Sequence, residues 1–148
     1  MDKNEFEQFL HQQIPVTKAM EFSVLEFTPL RVRISAKLEP NKNHHLTAFG
    51  GSISCLMTVA GWALVYANIK KIDPNAHIVI AKSSIRYFKP LKKDFTAESI
   101  LMNEADKINL FKMYNKNRKG KLSVKVQCYE DGFLAAEFEG QYVALNND

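Results

Sequence analysis

Phe49-Gly50-Gly51-Ser52-Ile53-Ser54-Cys55-Leu56-Met57-Thr58-Val59-Ala60-Gly61-Trp62-Ala63-Leu64-Val65-Tyr66-Ala67-Asn68-Ile69-Lys70 decides how this chain folds. From Ser52 to Lys70 the apolar residues leave almost no polar face, so a helix here has to be covered on nearly every side. Gly51 and Ser52 suit its start, where backbone N–H groups lack partners inside the helix. Ala60, Gly61, Ala63 and Ala67 are small enough to let a sheet approach its backbone. The run is nearly long enough to cross a membrane. Ser54, Thr58, Tyr66 and Asn68 interrupt it, however, and its flanks are polar, so a core helix and no membrane partner are expected.

Around this helix the composition fits one domain over residues 1–148, with 46% hydrophobic and 24% charged residues, enough for a single core. Met1-Asp2-Lys3-Asn4-Glu5 has no basic start followed by an apolar run. No secretory signal is read there, and a cytoplasmic location is expected. Cys55 and Cys128 fall at apolar positions and form no CxxC pair, which fits free buried thiols and not a disulfide. The formal charge of +4 is carried mainly by Lys82–Lys93 and Lys107–Lys125. Such clusters attract phosphates or acidic surfaces, on a nucleotide-bearing molecule, an acidic carrier protein or a nucleic acid, and charge alone does not choose among them.

Working outward toward the N-terminus, Asn4 with Glu7 reads as a helix start, and Phe6, Phe9 and Leu10 share one face up to Ile14-Pro15. Met20, Phe22 and Val24, then Leu25 and Phe27, read as a strand with an irregularity where the phase changes. Leu30, Val32, Ile34, Ala36 and Leu38 alternate with polar residues and form the clearest strand. A turn-rich loop, residues 40–47, delivers the chain to the helix. Beyond the helix, His77 to Lys89 is a long strand with apolar residues in both phases, expected to be covered on both faces in places. Phe95 to Met102 follows as a strand. Asn103 with Asp106 caps a short helix carrying Ile108, Leu110, Phe111 and Tyr114, and a basic turn comes next. Leu122, Val124, Val126 and Cys128 alternate in a strand joined by Glu130-Asp131-Gly132 to a partner from Phe133 to Leu145, with a bulge expected at Gly140. Together these elements give an α+β domain whose curved antiparallel sheet wraps a long central helix.

At Asn43-His44-His45-Leu46-Thr47-Ala48-Phe49-Gly50-Gly51-Ser52, followed by the helix, the chain resembles the hotdog-fold acyl thioesterases. Ile85-Arg86-Tyr87-Phe88-Lys89-Pro90-Leu91-Lys92-Lys93-Asp94-Phe95-Thr96-Ala97 is similar to the strand-Pro-strand element that follows their central helix. More narrowly, Thr47–Ser52 with Ala60-Gly61-Trp62-Ala63-Leu64-Val65, and Phe138-Glu139-Gly140-Gln141-Tyr142-Val143, resemble the YiiD C-terminal thioesterase-like domain. The resemblance implies a homodimer joined through strand 77–89, with any higher assembly left open. It also implies acyl-thioester sites at the subunit interface, a substrate on coenzyme A or acyl carrier protein, and no separate cofactor.

Thioester hydrolysis needs a polarised carbonyl, a held water and a proton acceptor. The N–H of Gly51 or Ser52 is the candidate for the first, helped by the helix dipole. Asn43 matches the family's loop Asn and is the candidate for holding the water or the carbonyl. Many relatives carry Asp or Glu about two turns into the helix, but no carboxylate lies between Glu39 and Asp73, and Thr58 stands in roughly that place. A hydroxyl orients water without deprotonating it, which leaves His44 or His45 as the base. No histidine spacing suggests a metal. Cys55 as nucleophile is disfavoured by its apolar helix. Arg86, Lys89, Lys92 and Lys93 are candidates for the phosphates of coenzyme A or the acidic face of a carrier protein. The missing carboxylate motivates an alternative, a module that binds acyl thioesters without cleaving them. Nucleic-acid binding through Lys116-Asn117-Arg118-Lys119-Gly120-Lys121 is a weaker third.

Overall fold

The computed structural model describes residues 1–101 and 103–146. The chain runs α1 (Lys3–Gln13), α2 (Val16–Ala19), β1 (Phe22–Phe27), β2 (Arg31–Ala36), α3 (Gly50–Ile69), β3 (His77–Tyr87), β4 (Phe95–Ile100), α4 (Glu104–Asn117), β5 (Lys119–Glu130) and β6 (Phe133–Leu145). The strands form one six-stranded antiparallel sheet in the order β1-β2-β4-β5-β6-β3. Its concave face closes on α3, most of whose side chains are buried. This is the fold expected, and α3 is the core helix its sequence demands. The helix is long and apolar enough to span a membrane, yet 72% of its most apolar stretch is buried inside this domain.

The close approach of helix and sheet has a specific cause. A Cβ on Gly61 would lie 2.5 Å from the Tyr142 hydroxyl, and one on Gly140 would lie 2.6 Å from the Phe138 ring and 3.0 Å from the Tyr142 ring. Gly140 pairs in register with Val124 and Ser83, so the bulge expected there is absent. Glycine is needed because two aromatic rings close over its face. Register shifts occur instead at Val24/Glu26, as the phase change in β1 suggested, at Ile80/Lys82 and at Cys128/Tyr129. Asp131 and Gly132, at φ 48° and 80°, make the two-residue turn between β5 and β6.

Other boundaries move for local reasons. The N-cap of α1 is Asp2, which exchanges hydrogen bonds with Glu5 in a capping box, while Glu7 is free to accept from Val24 N–H at 2.8 Å. Leu30 is 60% exposed because it belongs to the turn ahead of β2. The helix capped by Asn103 is 14 residues long and buries only Leu110 and Tyr114 of the residues read as its apolar face. The basic turn is a helix end. Arg118 takes a left-handed conformation (φ 54°) and β5 begins at the next residue. Met102, the last residue read into β4, lies outside the described residues. Cys55 and Cys128 are free.

The two sheet edges differ. On β1, Glu7 takes the Val24 N–H and the His11 ring donates from Nε2 to Phe22 O at 2.8 Å, so α1 covers that edge. At the other edge β3 is exposed along nearly its whole length, with Val79 50% and Ile80 38% accessible. The coverage expected on both its faces is not present in the single chain, because β3 is terminal in the sheet.

Candidate active site

The start of α3 carries no side-chain cap. Among the described residues, α1 and α4 are capped by Asp2 and Asn103, whereas Phe49 at the N-cap of α3 makes no such bond. Ser52 and Ile53 N–H groups both donate to Phe49 O, at 2.9 and 3.1 Å. Among the described residues, no acceptor meets the N–H groups of Gly50 and Gly51. Gly51 is exposed, and the Phe49 ring lies so close that a Cβ at Gly51 would sit 2.4 Å from it. Of the two donors expected, Gly51 is therefore open, while Ser52 is engaged and 4% exposed. An uncapped helix start with free N–H groups and the positive dipole end favours a developing negative charge.

The loop ahead of α3 is a closed hairpin. Phe49 N–H donates to Asn41 O and Asn43 N–H to Thr47 O, both at 2.7 Å, with Lys42 bridging Ala48 between them. The Asn43 side chain organises its tip. Its Oδ1 accepts from the backbone N–H groups of His45 (2.9 Å) and Thr47 (3.2 Å), and its Nδ2 donates to the Thr47 hydroxyl at 3.0 Å. The second Nδ2 hydrogen has no acceptor among the described residues. His44 and His45 are exposed at the tip, with ring centroids 3.9 Å apart.

Thr58 is half-buried and lies seven residues beyond Gly51, about 10 Å along the same face of the helix. Ser54 and Cys55, also half-exposed, fill the turn between them. These residues form a stripe that the rest of the fold covers only in part. Burial raises the Cys55 thiol above its ordinary pKa, which starves it of the thiolate that a nucleophile needs. The structure adds Tyr87, which the sequence did not single out. Its hydroxyl donates to Gly50 O at 3.3 Å and joins the end of β3 to the start of α3. The available signal was an aromatic residue in the inward phase of β3, just ahead of the Pro90 turn.

The four basic candidates divide. The Lys93 ammonium lies 2.8 Å from Asp131 Oδ2, a hydrogen bond that raises its pKa. Lys92 is fixed through its N–H to Glu130 Oε2 at 2.8 Å. Arg86 lies over the Phe88 ring at 5.5 Å and Lys89 over the Phe133 ring at 4.8 Å.

Asp73, the first carboxylate after α3, is remote and fully engaged. It accepts from the Tyr114 hydroxyl, from Asn146 Nδ2 at 2.9 Å and from Asn75 N–H at 2.9 Å. The Tyr114 bond, then Asn146, holds it at a pKa of about 2, while burial and Asp73 push Tyr114 up to about 12. Among the described residues no group of three or more His, Cys, Asp or Glu is placed to hold a metal ion. Two grooves of the single chain lie away from Gly51. One of about 330 Å³ runs over Lys82, Ser83 and Gly140. Another of about 400 Å³ lies beside Tyr66 and Lys70 at the far end of α3.

A curved antiparallel sheet closed on one long helix, with the glycine start of that helix open beside its own delivery loop, defines a hotdog-fold protein. A family model described as "Putative thioesterase (yiiD_Cterm)" matches residues 3–146, and the chain belongs to that family. Among solved structures it is similar to the putative thioesterase of Shewanella oneidensis, at 34% identity over 97% of each chain and a TM-score of 0.86. A Chlorobaculum tepidum protein of unknown function shares 24% identity, with 98% of this chain and 94% of that one covered and a TM-score of 0.91. A Pseudomonas aeruginosa protein described as a probable thioesterase shares 19% identity over 96% and 95%, with a TM-score of 0.83. The last two speak for the fold alone.

Proposed function

We propose that this protein hydrolyses an acyl thioester carried by coenzyme A or acyl carrier protein, with the carbonyl oxygen accepting a hydrogen bond from Gly51 N–H. The observation that carries the proposal is the uncapped start of the buried helix α3, where the Gly50 and Gly51 N–H groups meet no acceptor among the described residues. Charge grows on the carbonyl oxygen as water adds to the carbonyl carbon, and a fixed N–H at the positive end of a helix stabilises that charge with little reorganisation. Collapse of the tetrahedral intermediate expels the thiolate and leaves the acid. Asn43, through its second Nδ2 hydrogen, and Thr58 position the water. His44 or His45 accepts its proton, since α3 carries no carboxylate.

A homodimer joined through β3 belongs to the same proposal. The β1 edge is covered by Glu7 and His11, whereas β3 offers eleven residues of open strand. Such an edge is a template for pairing with another chain. Coenzyme A enters only as part of the substrate, and a cytoplasmic setting fits free thiols.

One observation favours a second reading, a module that binds acyl thioesters without cleaving them. No carboxylate lies between Glu39 and Asp73. The deciding experiment is thiol release from acyl-CoAs and acyl carrier protein thioesters of graded chain length, run beside thermal unfolding with the same ligands. Turnover with a chain-length optimum supports the hydrolase. Stabilisation without thiol release supports the binding module.

A further inference from the structure

Two hydrogen bonds tie the entry of α3 to the end of β3 and the turn beyond it. Ala48 N–H donates to Leu91 O at 2.8 Å, and Leu91 is fully buried. Two residues further on, Gly50 O accepts from the Tyr87 hydroxyl at 3.3 Å. Tyr87 stands on a fixed backbone. It pairs with Ala136 on β6, and the N–H groups of the next two residues, Phe88 and Lys89, both donate to Ala135 O, at 2.8 and 3.3 Å. Tyr87 is 52% exposed, so no burial demands that its hydroxyl find a protein partner. The Ala48–Leu91 bond already fastens the same two segments, which leaves the Tyr87 hydroxyl little to add as a fastening of the fold.

What the hydroxyl does hold is one particular peptide. Gly50 C=O and Gly51 N–H belong to the same planar unit, so a bond that fixes the carbonyl also fixes the direction of the N–H on the opposite side. A hydrogen bond accepted by the carbonyl draws electron density from the amide nitrogen and makes its N–H a stronger donor, as along any hydrogen-bonded chain. Glycine stands on both sides of this peptide and restrains its plane least of all residues, so an anchor from outside the helix counts for more here than elsewhere. We propose that Tyr87 is a positioning residue for the reaction: by holding Gly50 O it sets the plane of the Gly50–Gly51 peptide and strengthens the Gly51 N–H as donor to the thioester carbonyl. The inference rests on the acyl-thioester reading and deepens it by adding the group that acts through the donor.

The test uses the full chain and compares the parent, Tyr87→Phe and the protein carrying meta-fluorotyrosine at position 87, whose hydroxyl is the stronger donor, below the pH at which either ring titrates. Thiol release from octanoyl-CoA gives kcat and KM. The infrared carbonyl stretch of the bound octanoyl-CoA analogue with a methylene in place of sulfur reads polarisation directly. Tyr87→Phe is expected to lower kcat about five- to tenfold with KM within about twofold, part of the roughly 100–1,000-fold that loss of an oxyanion donor costs. It should also move the stretch to higher frequency. Meta-fluorotyrosine should restore kcat to the parent's value or above and move the stretch to lower frequency. Tyr129→Phe, which removes a hydroxyl bonded to Gln127 Oε1 at 2.6 Å, should change neither. A role in stability alone would lower the melting temperature and leave the stretch where it was. That result overturns the assignment, as does an unchanged kcat in Tyr87→Phe or a loss carried by KM alone, and hydrolysis by the parent then stands without it. A parent that releases no thiol but whose bound carbonyl follows the three side chains in the expected order would keep the positioning role and remove hydrolysis. A parent that neither cleaves the substrate nor binds the analogue removes both.

Discussion

Gly61→Ala should destabilise this protein although it adds a good helix former to a helix. The new methyl would lie 2.5 Å from Tyr142 Oη and 2.9 Å from its Cε2 and Cζ. Tyr142 has little room to retreat. It is 1% exposed, the Phe138 ring packs beside it with centroids 6.5 Å apart, and its hydroxyl donates to Thr58 O at 2.7 Å. Contacts this short against a buried ring put the overpacking cost at the upper end of its usual range, about 2–3 kcal/mol, and replacing a helical glycine returns about 1 kcal/mol, for a net loss of about 1–2 kcal/mol. Tyr142→Phe alone should cost about 1 kcal/mol, one hydrogen bond to a carbonyl that keeps its place in the helix. The double variant should fall short of the sum by about 0.5–1 kcal/mol, since the shortest of the three contacts has gone. Urea unfolding at fixed protomer concentration reads all four proteins through Trp62, the only tryptophan, which packs beside Phe6 and Tyr66. Additivity within about 0.3 kcal/mol, or a Gly61→Ala variant as stable as the parent, would refute the claim that Gly61 makes room for Tyr142.

Three further outcomes are expected. Asn43→Ala should lower the melting temperature by about 3–6 °C, since Oδ1 holds two backbone N–H groups and the net loss is about 1–2 kcal/mol. Asn43→Asp should recover that stability but not turnover, and full turnover in Asn43→Ala would end its role with water. Asp73, whose pKa is lowered from about 4 to about 2, binds fewer protons folded than unfolded. Its contribution is therefore complete above about pH 4 and fades as pH falls toward 2. The gap in urea midpoint between the parent and Asp73→Asn should close over that window, and a gap that stays constant with pH would contradict the assignment. Ile80→Asp, placing a charge on the exposed edge strand, should halve the mass measured by light scattering while circular dichroism is unchanged. An unaltered mass would rule out the β3 interface.

Elements whose burial follows from local alternation were legible in the sequence. Val32, Ile34 and Ala36 on β2, and Leu122 to Cys128 on β5, are buried as their two-residue period requires. The apolar run from Ser52 likewise left α3 no place but the core. What escaped depended on partners distant in the chain. Asn4 looked like a cap, but Asp2 reaches Glu5 and leaves Glu7 to the edge of β1. Gly140 looked like a bulge because the Phe138 and Tyr142 rings that require it cannot be placed from sequence. At the site, the glycine start of α3 was readable as a motif. That Ser52 is engaged, that Asn43 shapes its own loop and that Tyr87 reaches Gly50 are three-dimensional facts with no periodic signature.

The most direct test of the placement of the carbonyl is a crystal structure with an acyl-CoA analogue in which a methylene replaces the thioester sulfur. The ketone oxygen should lie about 2.7–3.1 Å from Gly51 N, as a preorganised oxyanion donor requires. A ketone bound elsewhere, with Gly51 N–H donating only to water, would contradict the assignment of this helix start as the polarising group.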